Sequence, residues 1–179
     1  LEPAESKHAK DLANHASPET FRFFPTLQPA TYDQVGLKNF IQQANQIPNM
    51  IPFAQVIQNS GEAVGMTSYL DIRQENRGVE IGFTWLGQTH QGTRINPEAK
   101  ILLLQHAFEE CGCIRVQLKT DARNLQSRAA ISKLGAVFEG ILRHHVVMPD
   151  GYLRDTAMYS ILASEWPEIR ERLRHRLGY

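Results

Sequence analysis

The sequence is poor in cysteine. Its 179 residues hold 2, Cys111 and Cys113. Two cysteines one residue apart are too few and too close for a disulfide framework. No second Cys or His pair stands at ligand spacing, so no metal is expected. We read both as ordinary thiols of a reducing compartment. Long apolar runs are missing too: nothing approaches the roughly 18 consecutive residues of a membrane-spanning helix. The N-terminal stretch carries Glu2, Glu5, Lys7, Lys10, Asp11 and Glu19 with no apolar core between them, so no secretory leader is legible. An excess of either charge is also missing, since 19 Lys+Arg balance 19 Asp+Glu. A general nucleic-acid binder needs a positive field to hold phosphates, and an acidic disordered chain needs the opposite excess. The expectation is a cytoplasmic protein with no nucleic-acid or membrane partner; the oligomeric state stays open, a dimer included.

What is present is an ordinary globular composition, 42% hydrophobic and 21% charged. A chain of this length folds as one domain and buries roughly 70% of its unfolded surface. Residues 1–60 read as mostly helical and irregular, with Asp11–Ala16 short and polar. A helix is predicted over Tyr32–Gln46, with Val35, Phe40, Ile41 and Ala44 as its apolar side, stopped by Pro48 and Pro52. Phe53–Ile57 and Ala63–Ile72 read as a hairpin about Asn59-Ser60-Gly61-Glu62. Val79–Leu86 alternates, with Val79, Ile81, Phe83 and Trp85 on one face and Glu80, Gly82 and Thr84 on the other.

The strongest helix signal follows. Asn96 reads as N-cap, Pro97 as first helical residue and Gly112 as the stop, with Leu104, Ala107, Phe108 and Cys111 on one face. Ile114–Lys119 is then a strand, which makes a βαβ unit with parallel strands. Asn124 caps a helix ending at Gly135. Ala136–Met148 and Leu153–Ala163 are strands joined at Pro149-Asp150-Gly151-Tyr152, and Glu165–Leu177 closes the chain as a helix with Ile169, Leu173 and Leu177 in register.

Chemistry concentrates at Gln91-Gly92-Thr93-Arg94-Ile95-Asn96, between strand and helix. Backbone N–H groups at a helix start favour anions, and Arg94 adds a potential phosphate contact. Neither GxGxxG nor GxxxxGK[ST] is present.

The order of motifs resembles the GNAT superfamily of acyl-CoA-dependent N-acetyltransferases, in its RimJ/RimL-type branch. The stretches that carry the resemblance are Gly78–Leu86, Gly92–Lys100, Ala107–Glu109, Arg115–Asp121, Asn124–Ser127, Leu134–Ala136, Glu139-Gly140, Asp150-Gly151, Arg154–Thr156, Tyr159–Ile161 and Glu165–Pro167. They run from about residue 65 to 179, and the likeness is faint over residues 1–50. The resemblance implies one α/β GNAT domain over 1–179: a central mixed, twisted sheet with splayed parallel central strands and helices on both faces. Leu1-Glu2-Pro3 would be the end of a first strand that starts upstream. Acetyl-CoA would be the co-substrate. Its pantetheine arm would pair with the backbone of Trp85 and Leu86, and its pyrophosphate would rest on Gln91, Gly92, Thr93, Arg94, Ile95 and Asn96. The sequence departs from the family pattern at Thr89, where Gln or Arg stands, and at Arg94, where a small residue stands. Asn124 would bond the pantetheine, and Ser127 would assist the departing thiolate.

The acceptor implied is a primary amine, foremost a protein N-terminus, taking the acetyl group by direct transfer in a ternary complex. An α-amine of pKa about 7.7–8.0 is roughly a tenth neutral at pH 7, a cost near 1 kcal/mol. A lysine amine costs roughly 4.6 kcal/mol. A weak base therefore suffices, and Glu80 is the candidate, directly or through water. His144 and His145 are the second choice, and Asp155 reads as a structural acceptor. The rival readings are a small-molecule amine acceptor (aminoglycoside, polyamine or amino acid) and an acyl-CoA-binding module without turnover. Neutrality is itself a cancellation. Residues 1–90 hold 6 Lys+Arg and 9 Asp+Glu, and residues 91–179 hold 13 and 10. Arg94, Lys100, Arg123 and Arg128 are the cations to test for an anion site.

Overall fold

A computed structural model describes residues 1–25 and 27–179. Among the described residues, seven strands form one sheet in the order β1-β2-β3-β4-β5-β7-β6. The strands are β1 (Glu2–Pro3), β2 (Ile51–Val56), β3 (Ala63–Arg73), β4 (Gly78–Leu86), β5 (Arg115–Asp121), β6 (Val137–Val147) and β7 (Leu153–Leu162). The helices are α1 (Ala9–Ala13), α2 (Gln34–Ala44), α3 (Ile95–Gln105), α4 (Leu125–Leu134) and α5 (Trp166–Leu177). The β4–β5 ladder is parallel, pairing Gly78, Val79 and Glu80 with Arg115, Val116 and Gln117. The β1–β2, β2–β3, β5–β7 and β6–β7 ladders are antiparallel. This is the mixed α/β sheet expected from the βαβ pattern. The chain divides into two compact units, residues 1–71 with 82–99 and residues 72–81 with 100–179.

The first unit is built on an aromatic core. Leu12, Phe21, Leu37, Phe40, Ile41, Ala54, Met66 and Trp85 are buried together, with Phe24, Tyr32 and Phe83 packed against them. The ring of Phe21 lies 5.2 Å from Trp85 and 5.3 Å from Phe40. Helix α2 opens at Gln34, not Tyr32, and Asp33 caps it: its carboxylate accepts from the Gly36 amide at 2.8 Å. Val35, expected on the apolar side, is 66% exposed. It sits in the first turn, while Leu37, Phe40, Ile41 and Ala44 make the buried stripe. The polar segment after Lys10 belongs in part to α1, which buries Ala9 and Leu12.

The second unit packs Val116, Leu118, Tyr159 and Ile161 of the sheet with Leu104, Phe108, Trp166, Ile169, Leu173 and Leu177 in its core. Phe108 and Trp166 stack at 5.7 Å. Gly135 ends α4 at φ 110, in the left-handed region that suits glycine.

Two expectations fail for local reasons. Helix α3 opens at Ile95, so Asn96 is its second residue and not the cap. The Arg94 carbonyl accepts from the Glu98 amide at 2.9 Å, and Thr93 Oγ1 takes the Ile95 amide at 3.4 Å. Cys111 is exposed, not on the buried face. A π-turn over His106–Glu110 follows α3, and its extra residue carries position 111 off the Leu104–Phe108 stripe. Strand β6 is interrupted by register shifts between Phe138 and Gly140 and between Leu142 and Val146.

Candidate active site

The loop after β4 lies in the first unit. Trp85 and Leu86 are buried at the strand's end. Trp85 turns its ring into the aromatic core, and the Leu86 carbonyl accepts from Gln91 Nε2 at 3.1 Å. One acceptor that the sequence assigned to a pantetheine arm is thus already bonded. Gln91, Gly92, Thr93 and Arg94 are all exposed. Gly92 has φ +75, and a Cβ there would meet nothing within 4 Å. The loop therefore presents open backbone just ahead of a helix N-terminus, the geometry that favours phosphate. Thr93 Oγ1 donates to the His90 carbonyl at 2.7 Å and fixes the turn. Arg94 Nε donates to Glu98 Oε1 at 3.0 Å, one helical turn on, so its guanidinium lies along α3. Ile95 and Asn96 are half-buried, and among the described residues Asn96 Oδ1 is buried without a hydrogen-bond partner. Lys100 does not present charge to solvent. It is 5% exposed, and burial pushes its ammonium pKa down to about 7.

Strand β4 carries a feature the sequence did not signal. Phe83 has φ +50, a genuine outlier for a bulky residue and a strain of about 1–3 kcal/mol. Its ring is held at 5.1 Å from Phe24 and stacked at 5.4 Å on Phe40. Thr84 Oγ1 donates to the Gly82 carbonyl at 3.2 Å. The kink re-aims the amides of a strand that alternation reads as regular. A glycine there would have been a sequence signal, and phenylalanine is not.

Glu80, Asn124 and Ser127 belong to the second unit. Asn124 Oδ1 accepts from the Ser127 amide at 3.0 Å, so these two residues are brought together as the cap of α4. Both are half-buried. Glu80 is buried opposite Gln117 on β5. Gln117 Nε2 donates to Glu80 Oε2 at 3.0 Å, and Lys119 Nζ lies 2.8 Å from the same oxygen. Arg73 Nη2 donates to Gln117 Oε1 at 2.9 Å, which completes a chain Arg73–Gln117–Glu80–Lys119. Sequence reasoning named Glu80 but neither of its partners. The period of two does place Gln117 and Lys119 on one face of β5, and that was the available signal.

Other carboxylates on this face of the second unit are paired as well. Asp121 lies two residues beyond Lys119 and opposite Thr156. Burial pushes its carboxyl up, but hydrogen bonds from the Arg123 side chain and backbone outweigh this and hold it below the usual range. Glu139 is held low first by its bidentate bond with Arg115, against burial, with Ser160 adding a further bond. Arg154 is 4% exposed, and burial lowers its guanidinium from its ordinary value. Of the second-choice bases, His144 is tied by its backbone amide, which donates to Asp155 Oδ1 at 2.8 Å. His145 Nδ1 lies 3.1 Å from Thr156 Oγ1. Asp155 is thus the structural acceptor expected. Among the described residues, no group of His, Cys, Asp and Glu is arranged to hold a metal ion, and no helix is long and apolar enough to cross a membrane.

Residues 1–137 match the Acetyltransferase (GNAT) domain family. The YdaF protein of Bacillus subtilis is 34% identical over 106 residues, 59% of this chain and 57% of that protein. The ribosomal-protein-serine acetyltransferase of Escherichia coli is 31% identical over 91 residues, 51% of this chain and 50% of that protein. The chain thus spans about half the length of these relatives in the matched region. A crystal structure from T. thermophilus superposes with a TM-score of 0.90 at 37% identity, covering 98% of this chain and 92% of that one. An exposed loop between β4 and α3, a capped α4 and these matches agree: the chain belongs to the GNAT acetyltransferase family, on its RimJ/RimL-like branch.

Proposed function

We propose that the chain is one GNAT domain that transfers an acetyl group from acetyl-CoA to a primary amine, by direct attack in a ternary complex, in the cytoplasm. The observation that carries this reading is the exposed Gln91–Arg94 backbone ahead of α3, inside the region that matches the family. The pyrophosphate of acetyl-CoA rests on that backbone, and Asn124 and Ser127 serve the pantetheine and the departing thiolate. The amine attacks the thioester carbonyl, the amides of the kinked β4 segment stabilise the developing oxyanion, and the ammonium proton leaves to Glu80 through water. Ser127 hydrogen-bonds the thiolate.

For the acceptor we propose a protein N-terminus. A polyamine or aminoglycoside carries several positive charges and is bound by carboxylates with no cation of their own. Here Glu80, Asp121 and Glu139 are each paired, with Lys119, Arg123 and Arg115. That face favours one weakly basic amine over a polycation. The ribosomal-protein acetyltransferase name of the E. coli relative points the same way.

The test is thiol release from acetyl-CoA with N-terminal peptides, spermidine and an aminoglycoside as acceptors. Peptides are expected to support release at least tenfold faster than either polycation. Release with spermidine alone would move the acceptor to the small-molecule class. No release with any amine, alongside measurable CoA binding, would make the chain an acyl-CoA-binding module.

A further inference from the structure

The π-turn after α3 builds a cluster that acetyl transfer does not use. Residues five apart on an α-helix stand about 140° from each other. In the His106–Glu110 turn the Cys111 amide bonds instead to the His106 carbonyl, five residues back, at 2.9 Å. This wider turn brings residue 111 round to residue 106. Cys111 Sγ lies 3.4 Å from His106 Nε2, and His106 Nδ1 lies 2.8 Å from Glu110 Oε2. A thiol, an imidazole and a carboxylate are thereby joined in series. That is the order that activates a nucleophile: base on the thiol, orienting acid on the base. With Nδ1–H donated to Glu110, Nε2 is left to take the Cys111 proton.

The turn is anchored from beneath. Ala107 and Phe108 are buried, and Glu109 Oε1 accepts from Trp166 Nε1 at 2.7 Å and from Arg170 Nη1 at 2.9 Å. Cys111 is exposed, so an incoming reagent reaches it. Cys113 is a built-in contrast: it is half-buried, and burial first, then Cys111, pushes its thiol up. The helix C-terminus itself disfavours a thiolate and favours a cation. Activation of Cys111 therefore rests on the placement of His106 between the thiol and the Glu110 carboxylate. Arg77 also stands at this end, where its Nε donates to the Gly112 carbonyl at 2.9 Å.

We propose that Cys111 is a thiol-disulfide exchange site, activated by His106 and Glu110, that takes low-molecular-weight disulfides. Cys111 sulfur attacks one sulfur of the disulfide RSSR. The Cys111–S–S–R bond forms as the RS–SR bond breaks, and the proton passes from Cys111 through His106 to the leaving RS⁻. One protein thiol is oxidised and half of RSSR is reduced to RSH.

The test uses the full chain with excess glutathione disulfide, intact mass to count adducts and peptide mass to place them. One adduct is expected, on Cys111, formed at least about tenfold faster than on Cys113. His106→Gln should slow the reaction about tenfold and change the pH dependence of its rate. Glu110→Gln should do the same to a smaller degree. Cys113→Ser should leave the Cys111 rate unchanged, and it removes the Cys111–Cys113 disulfide that first attack at either thiol would give. All three substituted side chains are exposed or half-buried, so far-UV circular dichroism should match the parent. Equal labelling of both cysteines, or a His106→Gln chain that reacts at the parent rate, overturns the proposal.

Discussion

The Glu80–Lys119 pair can be broken from either side, and the two breaks should differ. The Glu80 side chain is 4% exposed and that of Lys119 is 35% exposed. Glu80→Gln leaves an ammonium that can swing into water, and a carboxamide can still meet Gln117. Its cost should be about 1 kcal/mol. Lys119→Met instead leaves a buried carboxylate with Gln117 as its remaining neutral donor. Removing one member of a fully buried pair costs about 3–5 kcal/mol, and the partial exposure of Lys119 reduces that to about 2–3 kcal/mol. The double variant Glu80→Gln/Lys119→Met removes the stranded charge and should recover most of the loss. Urea midpoints at pH 7 for the four proteins give both costs and the coupling. A Lys119→Met chain at least as stable as Glu80→Gln would refute the reasoning, because the asymmetry follows from burial alone. The same proteins test the proton path: Glu80→Gln should lower kcat with an N-terminal peptide at least tenfold while the KM for acetyl-CoA stays within about twofold. Unchanged kcat would remove Glu80 from the mechanism.

Gly92→Val puts a β-branched residue at φ +75 in open space, so stability should fall by about 1–2 kcal/mol from backbone strain alone; the KM for acetyl-CoA should rise about tenfold as the exposed backbone is covered, measured by thiol release. Asn124→Ala should cost about 1 kcal/mol through the lost cap on the Ser127 amide, read from the thermal midpoint, whereas Ser127→Ala should leave that midpoint within about 1 °C and lower kcat. Asp121 and Glu139 have carboxyls held low in the folded chain. Their contribution is present above the unfolded values, about 3.9 and 4.3, and is lost as pH falls through the lower folded values. Arg123→Met and Arg115→Met should each flatten this acid limb in urea titrations between pH 5 and about 2.

Much of the second unit could be read from residue order. Asn124, Gly135 and the Ile169–Leu173–Leu177 spacing act within one turn of chain, and cap, stop and buried stripe appear where they were expected. The Gly92 loop was legible for the same reason. Cys111 was misplaced because a 3.6-residue period was carried through a turn that closes on five. Asn96 was misplaced because Thr93 and Arg94 open the helix before it. The kink at Phe83 had no local signal, since packing against Phe24 and Phe40 outweighs a backbone cost that phenylalanine would otherwise avoid.

The sequence by itself determined the βαβ order, the neutral charge with its uneven halves, the family resemblance and the glycine loop ahead of α3. These depend on neighbours a few residues apart or on totals. Tertiary structure alone decided that Glu80 is held by Lys119 and Gln117, that Asp121 and Glu139 come with cations of their own, that Lys100 is buried, and that His106 and Glu110 line up behind Cys111. Each of these turns on which groups share a buried or crowded space. Burial strengthens a charge's need for a partner, and only the folded chain states which partner it finds.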